Sequence, residues 1–234
     1  MTDNGAPLIL LTRPRAQSER FARSVQSLAE TKILPLQEIV PTDPIPSLDG
    51  IFGLIFTSEN GVATFVEASS RRDVVAFCVG ERGAIAARAA GMVAQSVGRN
   101  ADELVAFLLS KPPAGTVMHL HGTHVRGDVA ARLAAGGISV KHQSIYDQRA
   151  VTPAEPISQL GAGRTVFAPL FSARSASLFA AAVGRAPGDW RCLCLSHAVR
   201  DALPPYLSAR AKVATCPTAE AIRDLMALDI FPSP

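Results

Sequence analysis

An α/β protein built on parallel sheets is what this sequence predicts, and three observations carry the prediction. Short apolar runs alternate with Ala-rich stretches of helical period along the whole chain, the rhythm of successive βα units. Several of the runs hold too few polar residues to face water on one side, so they read as strands buried on both faces of a parallel sheet. Aromatic residues make up only 6% of the chain, with one Trp and two Tyr, against 48% hydrophobic content. That balance suits helices layered on strands better than a sandwich of two sheets.

The strand-like runs, in order, are 8–11, 53–56, 75–79, 116–120, 165–170, 191–195 and 212–215. Helix-spaced segments follow most of them, at 16–28, 61–68, 83–90, 101–109, 126–135, 173–183, 199–207 and 218–228. Gly91, Gly136-Gly137 and Gly184 stand where helix C-caps are expected.

The series repeats. Phe56-Thr57-Ser58-Glu59-Asn60-Gly61-Val62-Ala63 is echoed by Phe171-Ser172-Ala173-Arg174-Ser175-Ala176, each an apolar strand ending in a hydroxyl residue and turning into a helix. Cys78-Val79-Gly80 is echoed by Cys194-Leu195-Ser196, and Ala101-Asp102-Glu103-Leu104 by Thr218-Ala219-Glu220-Ala221-Ile222. Leu10-Leu11-Thr12-Arg13-Pro14, with its helix and the extended stretch through Val40, matches Leu120-His121-Gly122, with its helix and the stretch through Tyr146. Elements a, b, c and d thus occur twice, each set spanning about a hundred residues, enough for a small domain with its own core. The chain crosses between the sets at 34–41, leading into the proline-rich stretch 41–46, and at 143–153. Spacing leaves open whether element a pairs with the b-c-d that follows it or with the other set.

A net charge of +3 without a dense Lys/Arg block disfavours nucleic acid as a partner. Nineteen of the 23 basic residues are Arg, a bias that suits planar, bidentate recognition of carboxylates, or else reflects a general preference for Arg as surface charge. Cys78, Cys192, Cys194 and Cys216 lie in apolar runs without Cys-x-x-Cys spacing, so they read as small core residues in a reducing compartment. No window approaches a membrane span and no basic region precedes the first apolar run, so a soluble, cytoplasmic protein is expected.

In a parallel sheet the C-terminal ends of the strands line one edge, and ligands bind there among helix N-termini. The residues at those ends are Thr12, Arg13, Ser58, Asn60, Gly80, Arg82, His121, Thr123, Arg126, Ser172, Arg174, Ser175, Ser196 and Thr218. Hydroxyls, glycines and arginines dominate, and no pair of carboxylates is placed to share acid and base work. The set therefore suits holding an anion. The alternative for each Ser and Thr is helix capping, which needs no ligand. His119-Leu120-His121-Gly122-Thr123-His124 has alternating imidazoles, yet nothing nearby in sequence completes a metal set, so no metal is expected. The chain has no Gly-x-Gly-x-x-Gly, Walker-type loop or Gly-x-Ser-x-Gly elbow, which removes support for dinucleotide, nucleoside triphosphate and esterase chemistry. Tyr146 lies in the crossing Ser144-Ile145-Tyr146-Asp147 rather than in a core run, where its phenol can face a cleft as a weak acid or pack the hinge.

Several of these segments together resemble one family. Leu11-Thr12-Arg13-Pro14 resembles its opening Thr-Arg-Pro, and Phe56-Thr57-Ser58-Glu59-Asn60-Gly61-Val62 its Phe-Thr-Ser-x-Asn-x-Val. Val79-Gly80 with Ala84, Ala87 and Gly91 resembles its Val-Gly helix. Arg126-Gly127-Asp128, Gly136-Gly137 and Ile145-Tyr146 follow its Arg, Gly and Val-Tyr series, and Phe171-Ser172-Ala173-Arg174-Ser175 its second Ser-rich motif. The family is uroporphyrinogen-III synthase, and the ordered series covers nearly the whole chain.

The resemblance implies two similar flavodoxin-like parallel-sheet domains joined by a two-stranded linker, residues 1–35 plus 150–234 forming one and 38–146 the other, with the active site in the cleft between them. It also implies a cyclising lyase of heme and other tetrapyrrole biosynthesis, which closes hydroxymethylbilane to uroporphyrinogen III with loss of water and inversion of the last ring. On that footing Tyr146 is the acid. Thr12, Arg13, Ser58, Asn60, Gly80, Arg82, His121, Arg126, Ser172, Arg174, Ser175 and Ser196 bind substrate, without cofactor or metal. The expected partners are the bilane and, transiently, the upstream deaminase, with no nucleic acid or membrane, the chain acting as a monomer. Gly83 and Val199 stand where the family often carries Thr, and Ala173 where it often carries Pro. The competing class is a non-enzymatic two-domain module that closes on an anionic small molecule.

Overall fold

The computed structural model describes residues 5–42, 44–124 and 127–231. In chain order the elements are β1 (Gly5–Leu11), α1 (Arg15–Val25), β2 (Glu30–Ile33), β3 (Gln37–Pro41), β4 (Ile51–Phe56), α2 (Glu59–Ala68), β5 (Val75–Cys78), α3 (Gly80–Ala89), β6 (Ala94–Ser96), α4 (Ala101–Ser110), β7 (Thr116–Gly122), α5 (Val129–Ala135) and β8 (Val140–Ala150). There follow β9 (Arg164–Leu170), α6 (Ala173–Val183), β10 (Asp189–Cys194), α7 (His197–Arg200), α8 (Pro205–Ser208), β11 (Lys212–Val213) and α9 (Ala219–Ile230).

Two compact units result, Met1–Glu38 with Arg149–Pro234, and Ile39–Gln148. The sheet of the first runs β2-β1-β9-β10-β11, with every pairing parallel. The sheet of the second runs β3-β8-β7-β4-β5-β6, parallel from β8 to β6. The two share one plan. A strand, its helix and the strand that follows (β1, α1, β2 or β7, α5, β8) lie beside three strands that step outward (β9, β10, β11 or β4, β5, β6). Element a therefore joins the later set: β1 pairs with β9, while β7 pairs back with β4. The chain passes between units in β3 and β8, which are neighbours. Val151 N–H donates to Leu36 O and Thr42 N–H to Ile145 O, so residue numbers run in opposite directions on the two.

Each sheet is covered on both faces, which explains why its strands carry apolar residues at successive positions. On β1, Leu8 and Leu10 enter one core and Ile9 and Leu11 the other. On β4, Leu54 and Phe56 face one core and Ile55 the opposite one. Ser58, Asn100, Ser172 and Thr218 cap the helices that follow, each accepting a backbone N–H two or three residues on.

The structure corrects four readings. The helix expected over 199–207 is two four-residue turns, α7 and α8, because Pro204 and Pro205 lack the N–H a continuous helix needs and disfavour helical backbone before them. The helix expected from 126 begins at Val129, after Asp128 in a left-handed conformation. Cys216 is exposed whereas Cys78, Cys192 and Cys194 are buried, with thiols pushed up to about 12 by that burial, so only those three are core residues. The strand expected through 215 stops at Val213, which leaves Cys216 in the loop ahead of α9.

Candidate active site

The strand ends of the second unit hold the chain's most distinctive local geometry. β8 carries a bulge: His121 pairs with Ser144 but Gly122 with Tyr146, so Ile145 is an extra residue. Without it, alternation would send Tyr146 to the face of Ser144; with it, Tyr146 turns to the face of Gly122 and joins the core of Leu54, Phe56, Val62 and Leu120. Tyr146 is only 5% exposed. That corrects the expectation of a tyrosine outside any core. Its ring lies against the backbone of Gly122 at the end of β7 and near Gly61 in the first turns of α2.

Burial pushes the Tyr146 phenol above its ordinary value of 10, and a hydrogen bond with the Ser58 side chain pulls partly the other way. Ser58 also accepts the Asn60 backbone N–H at 3.2 Å as the cap of α2. One hydroxyl thus joins the helix start to the phenol. Beyond them, Thr123 N–H donates to Tyr146 O at 2.9 Å, and the Thr123 hydroxyl donates to Asp147, which lies 3.8 Å from the His124 ring.

The other expected residues of this unit fall in different surroundings. Gly80 opens α3 with a positive φ of 74°, and its N–H donates to Gly98 O. Arg82 is exposed on the first turn of α3, with no partner among the described residues. His121 points to the face opposite Tyr146, where its Nδ1 lies 2.8 Å from Gly122 O and its Nε2 3.3 Å from His142 Nδ1. On that face His119 is buried beside the Thr57 hydroxyl, and its imidazole is pushed down to about 3, first by burial and then by His121 and His142. Arg126 lies outside the described residues.

In the first unit, Thr12 is buried at the end of β1, and its carbonyl accepts Leu36 N–H at 3.0 Å. Arg13 follows, its guanidinium 4.3 Å over the ring of Phe171, which meets Phe21 edge-on. Ser172 and Ser175 form a reciprocal capping box at the start of α6, and Ser175 is buried with its hydroxyl donating to Ser172 O at 2.7 Å. Arg174 is half-buried on the same turn, and Ser196 is half-buried ahead of α7, where its carbonyl accepts Val199 and Arg200 N–H. Thr218 accepts Ala221 N–H at 3.1 Å as the cap of α9.

Ser172→Ala is expected to lower stability by about 1 kcal/mol through loss of the cap, read as a lower urea midpoint. A KM that rises with it adds substrate contact to capping; an unchanged KM confines Ser172 to the cap.

Gly83 and Val199, where hydroxyls were expected, have packing reasons. A Cβ at Gly83 would come 3.3 Å from that of Cys78, and Val199 is buried against the core of the first unit. Sequence reasoning missed Gly61, Gly122, Asp147 and His142 as members of these clusters. A glycine at the end of an apolar strand was the one signal for Gly122. Among the described residues no three His, Cys, Asp or Glu side chains are grouped to hold a metal ion. Nor, among those residues, is any helix long and apolar enough to cross a membrane.

Comparison with known proteins places this geometry. A family model described as Uroporphyrinogen-III synthase HemD matches residues 22–224. Among solved structures, the uroporphyrinogen-III synthetase of Helicobacter pylori 26695 superposes with a TM-score of 0.69 at 16% identity, covering 96% of this chain and 99% of that one. A mutant uroporphyrinogen III synthase of the extremely thermophilic bacterium Thermus thermophilus superposes with a TM-score of 0.50 at 14% identity, over 96% and 99% of the two chains. No curated protein matches the sequence significantly. The structural likenesses establish the two-unit α/β fold, and the family match spans well over half the chain: the protein belongs to the uroporphyrinogen-III synthase family.

Proposed function

We propose that this chain closes hydroxymethylbilane to uroporphyrinogen III, with Tyr146 as the acid that releases the terminal hydroxyl. The carrying observation is a buried phenol at a strand-end edge, its ring seated against the backbone of Gly122 and kept protonated by burial. The substrate's own chemistry asks for little more. A pyrrole nitrogen lone pair expels the hydroxyl; the phenol O–H supplies the proton, and the C–O bond breaks to give water. The cationic carbon left behind is attacked by the substituted position of the last ring, forming a spiro intermediate whose reopening inverts that ring. The proton shed on final closure restores the phenol, so the balance is loss of one water. Holding the chain for attack at the substituted carbon, rather than direct closure, is a matter of positioning.

The substrate carries eight carboxylates, and strand-end amides, hydroxyls and arginines are suited to them. Arg13 is the best placed described arginine, since stacking on Phe171 fixes its plane. Arg82, Arg126 and Arg174 share this role, as do Thr12, Ser58, Asn60, Gly80, His121, Ser172, Ser175 and Ser196. Arg13→Ala is expected to raise KM by about threefold to tenfold with kcat nearly unchanged, because many contacts share the load and one modest contact is worth about 1 kcal/mol. Steady-state kinetics on the bilane separates the two constants. In this reading the enzyme acts as a cytoplasmic monomer on bilane passed on by transient contact with the upstream deaminase.

The test generates hydroxymethylbilane in situ from porphobilinogen with the deaminase, adds this protein, oxidises the products and separates the porphyrin isomers. Predominantly type III porphyrin is the expected result. Type I alone, as forms without a synthase, removes the activity and favours the binding module.

A further inference from the structure

We propose that Gly122 is a positioning residue for the Tyr146 phenol, its missing side chain forming the slot that sets the hydroxyl beside Ser58. The proposal rests on the reading of Tyr146 as the acid, and its geometry lies wholly within the second unit. On β7, Met118 and Leu120 point into the core that contains Tyr146, so alternation directs the next position on that face, 122, to the same side. The bulge at Ile145 brings Tyr146 directly opposite. Both strands thus aim a residue at one space, and only one of them has a side chain.

A Cβ at Gly122 would stand 2.7 Å from Cε2, 2.8 Å from Cζ and 3.1 Å from the hydroxyl oxygen of Tyr146, and these are its three nearest neighbours. Gly122 does not have the left-handed backbone that would itself require glycine. What an alanine meets there is the tyrosine ring. Gly61, on the ring's other edge, would place a Cβ 3.7 Å from Cε1, an ordinary contact. A Cβ at Gly61 would press instead on Leu120 O and Phe56, each at 3.3 Å, so the demand that the tyrosine ring itself makes for an absent side chain centres on position 122 and on the half of the ring that carries the hydroxyl.

Gly122→Ala should push the phenol out of the slot. With tyrosine labelled at 13Cζ, the chain gives two resonances, and Tyr206→Phe assigns that of Tyr146. In Gly122→Ala this resonance moves, and its titration shifts down toward the ordinary tyrosine value as the phenol gains solvent. The turnover of the same variant falls by about tenfold or more, with KM within about twofold, the pattern of a loss confined to the chemical step. In a Tyr146→Phe background, where no proton donor remains to be displaced, adding Gly122→Ala changes kcat by less than about twofold.

An unmoved Tyr146 resonance, or a Gly122→Ala enzyme with full turnover beside a crippled Tyr146→Phe, overturns the proposal. Full turnover in Tyr146→Phe overturns the acid reading instead, and the resonance alone then decides whether Gly122 sets the ring. Should Gly122→Ala fail to fold, Gly122→Ala/Tyr146→Ala, which removes the ring the methyl meets, is expected to fold. A double variant that fails where Tyr146→Ala alone folds traces the need for glycine to the backbone and overturns the proposal.

Discussion

Tyr146→Phe should cost the enzyme about 100-fold or more in kcat while leaving KM within about twofold, the size and pattern expected when a positioned proton donor is deleted. The substitution keeps the ring that packs on Gly122 and Gly61, so the core of the second unit loses one hydroxyl and no volume. Ser58 keeps its second engagement, accepting the Asn60 N–H, and the start of α2 is held. The fold survives, and the loss is chemical. Burial places the phenol above 10, so the donor stays protonated throughout the neutral range. The wild-type rate should therefore show no alkaline decline from this group below about pH 10. The measurement is a pH profile of kcat for both enzymes on bilane generated in situ. Equal turnover in the two removes Tyr146 from the chemistry.

The α/β alternation was legible because the central strands are buried on both faces and so appear as unbroken apolar runs, as with Leu8 to Leu11 and Leu54 to Phe56. Helix starts were legible through Ser58, Ser172 and Thr218, since a hydroxyl followed by helical period is a local signal. The pairing of β1 with β9 rather than β4 leaves no local trace. Both partners are apolar strands that would suit either sheet, and distance along the chain does not choose between them. The helix expected over 199–207 followed apolar spacing across Pro204 and Pro205, two residues whose rings outweigh periodicity.

The site was less legible than the fold because its defining contacts are between distant residues. Nothing in Ser144-Ile145-Tyr146-Asp147 shows that one residue is extra. The bulge exists only relative to β7, and the space it fills exists only because position 122 is glycine. Polar strand-end residues were found by type, yet type does not separate a hydroxyl confined to a capping box, such as Ser175, from a cap that also acts on a buried phenol, such as Ser58. Nor does it show which face of β7 a residue takes. His121 and Gly122 are adjacent in sequence and look to opposite sides of the sheet.

The imidazoles on that opposite side give the second large expectation, a loss of stability in mild acid. His119 is 1% exposed, with its Nε2 3.4 Å from the Thr57 hydroxyl, and the ring of His121 lies 4.8 Å away. Burial first, then the neighbouring His121 and His142, push its imidazole down to about 3 from an ordinary 6.5. Above pH 6.5 the ring is neutral in both folded and unfolded chains, and it adds no pH dependence. As pH falls through 6.5 toward 3 the unfolded chain takes up a proton that the folded chain refuses, so the unfolded state holds more protons and stability drops. At about pH 5 this single group should cost about 2 kcal/mol relative to neutral pH, one and a half pH units at about 1.4 kcal/mol each. Urea unfolding at neutral pH and at pH 5 measures the drop, and His119→Gln, which retains an amide for Thr57 but cannot take up a proton, should remove most of it. The other histidines remain in both chains, so the difference reports on His119 and its coupling to His121 and His142. An equal acid loss in wild type and His119→Gln would show that the buried ring is not the source, and that the acid sensitivity lies elsewhere in the fold.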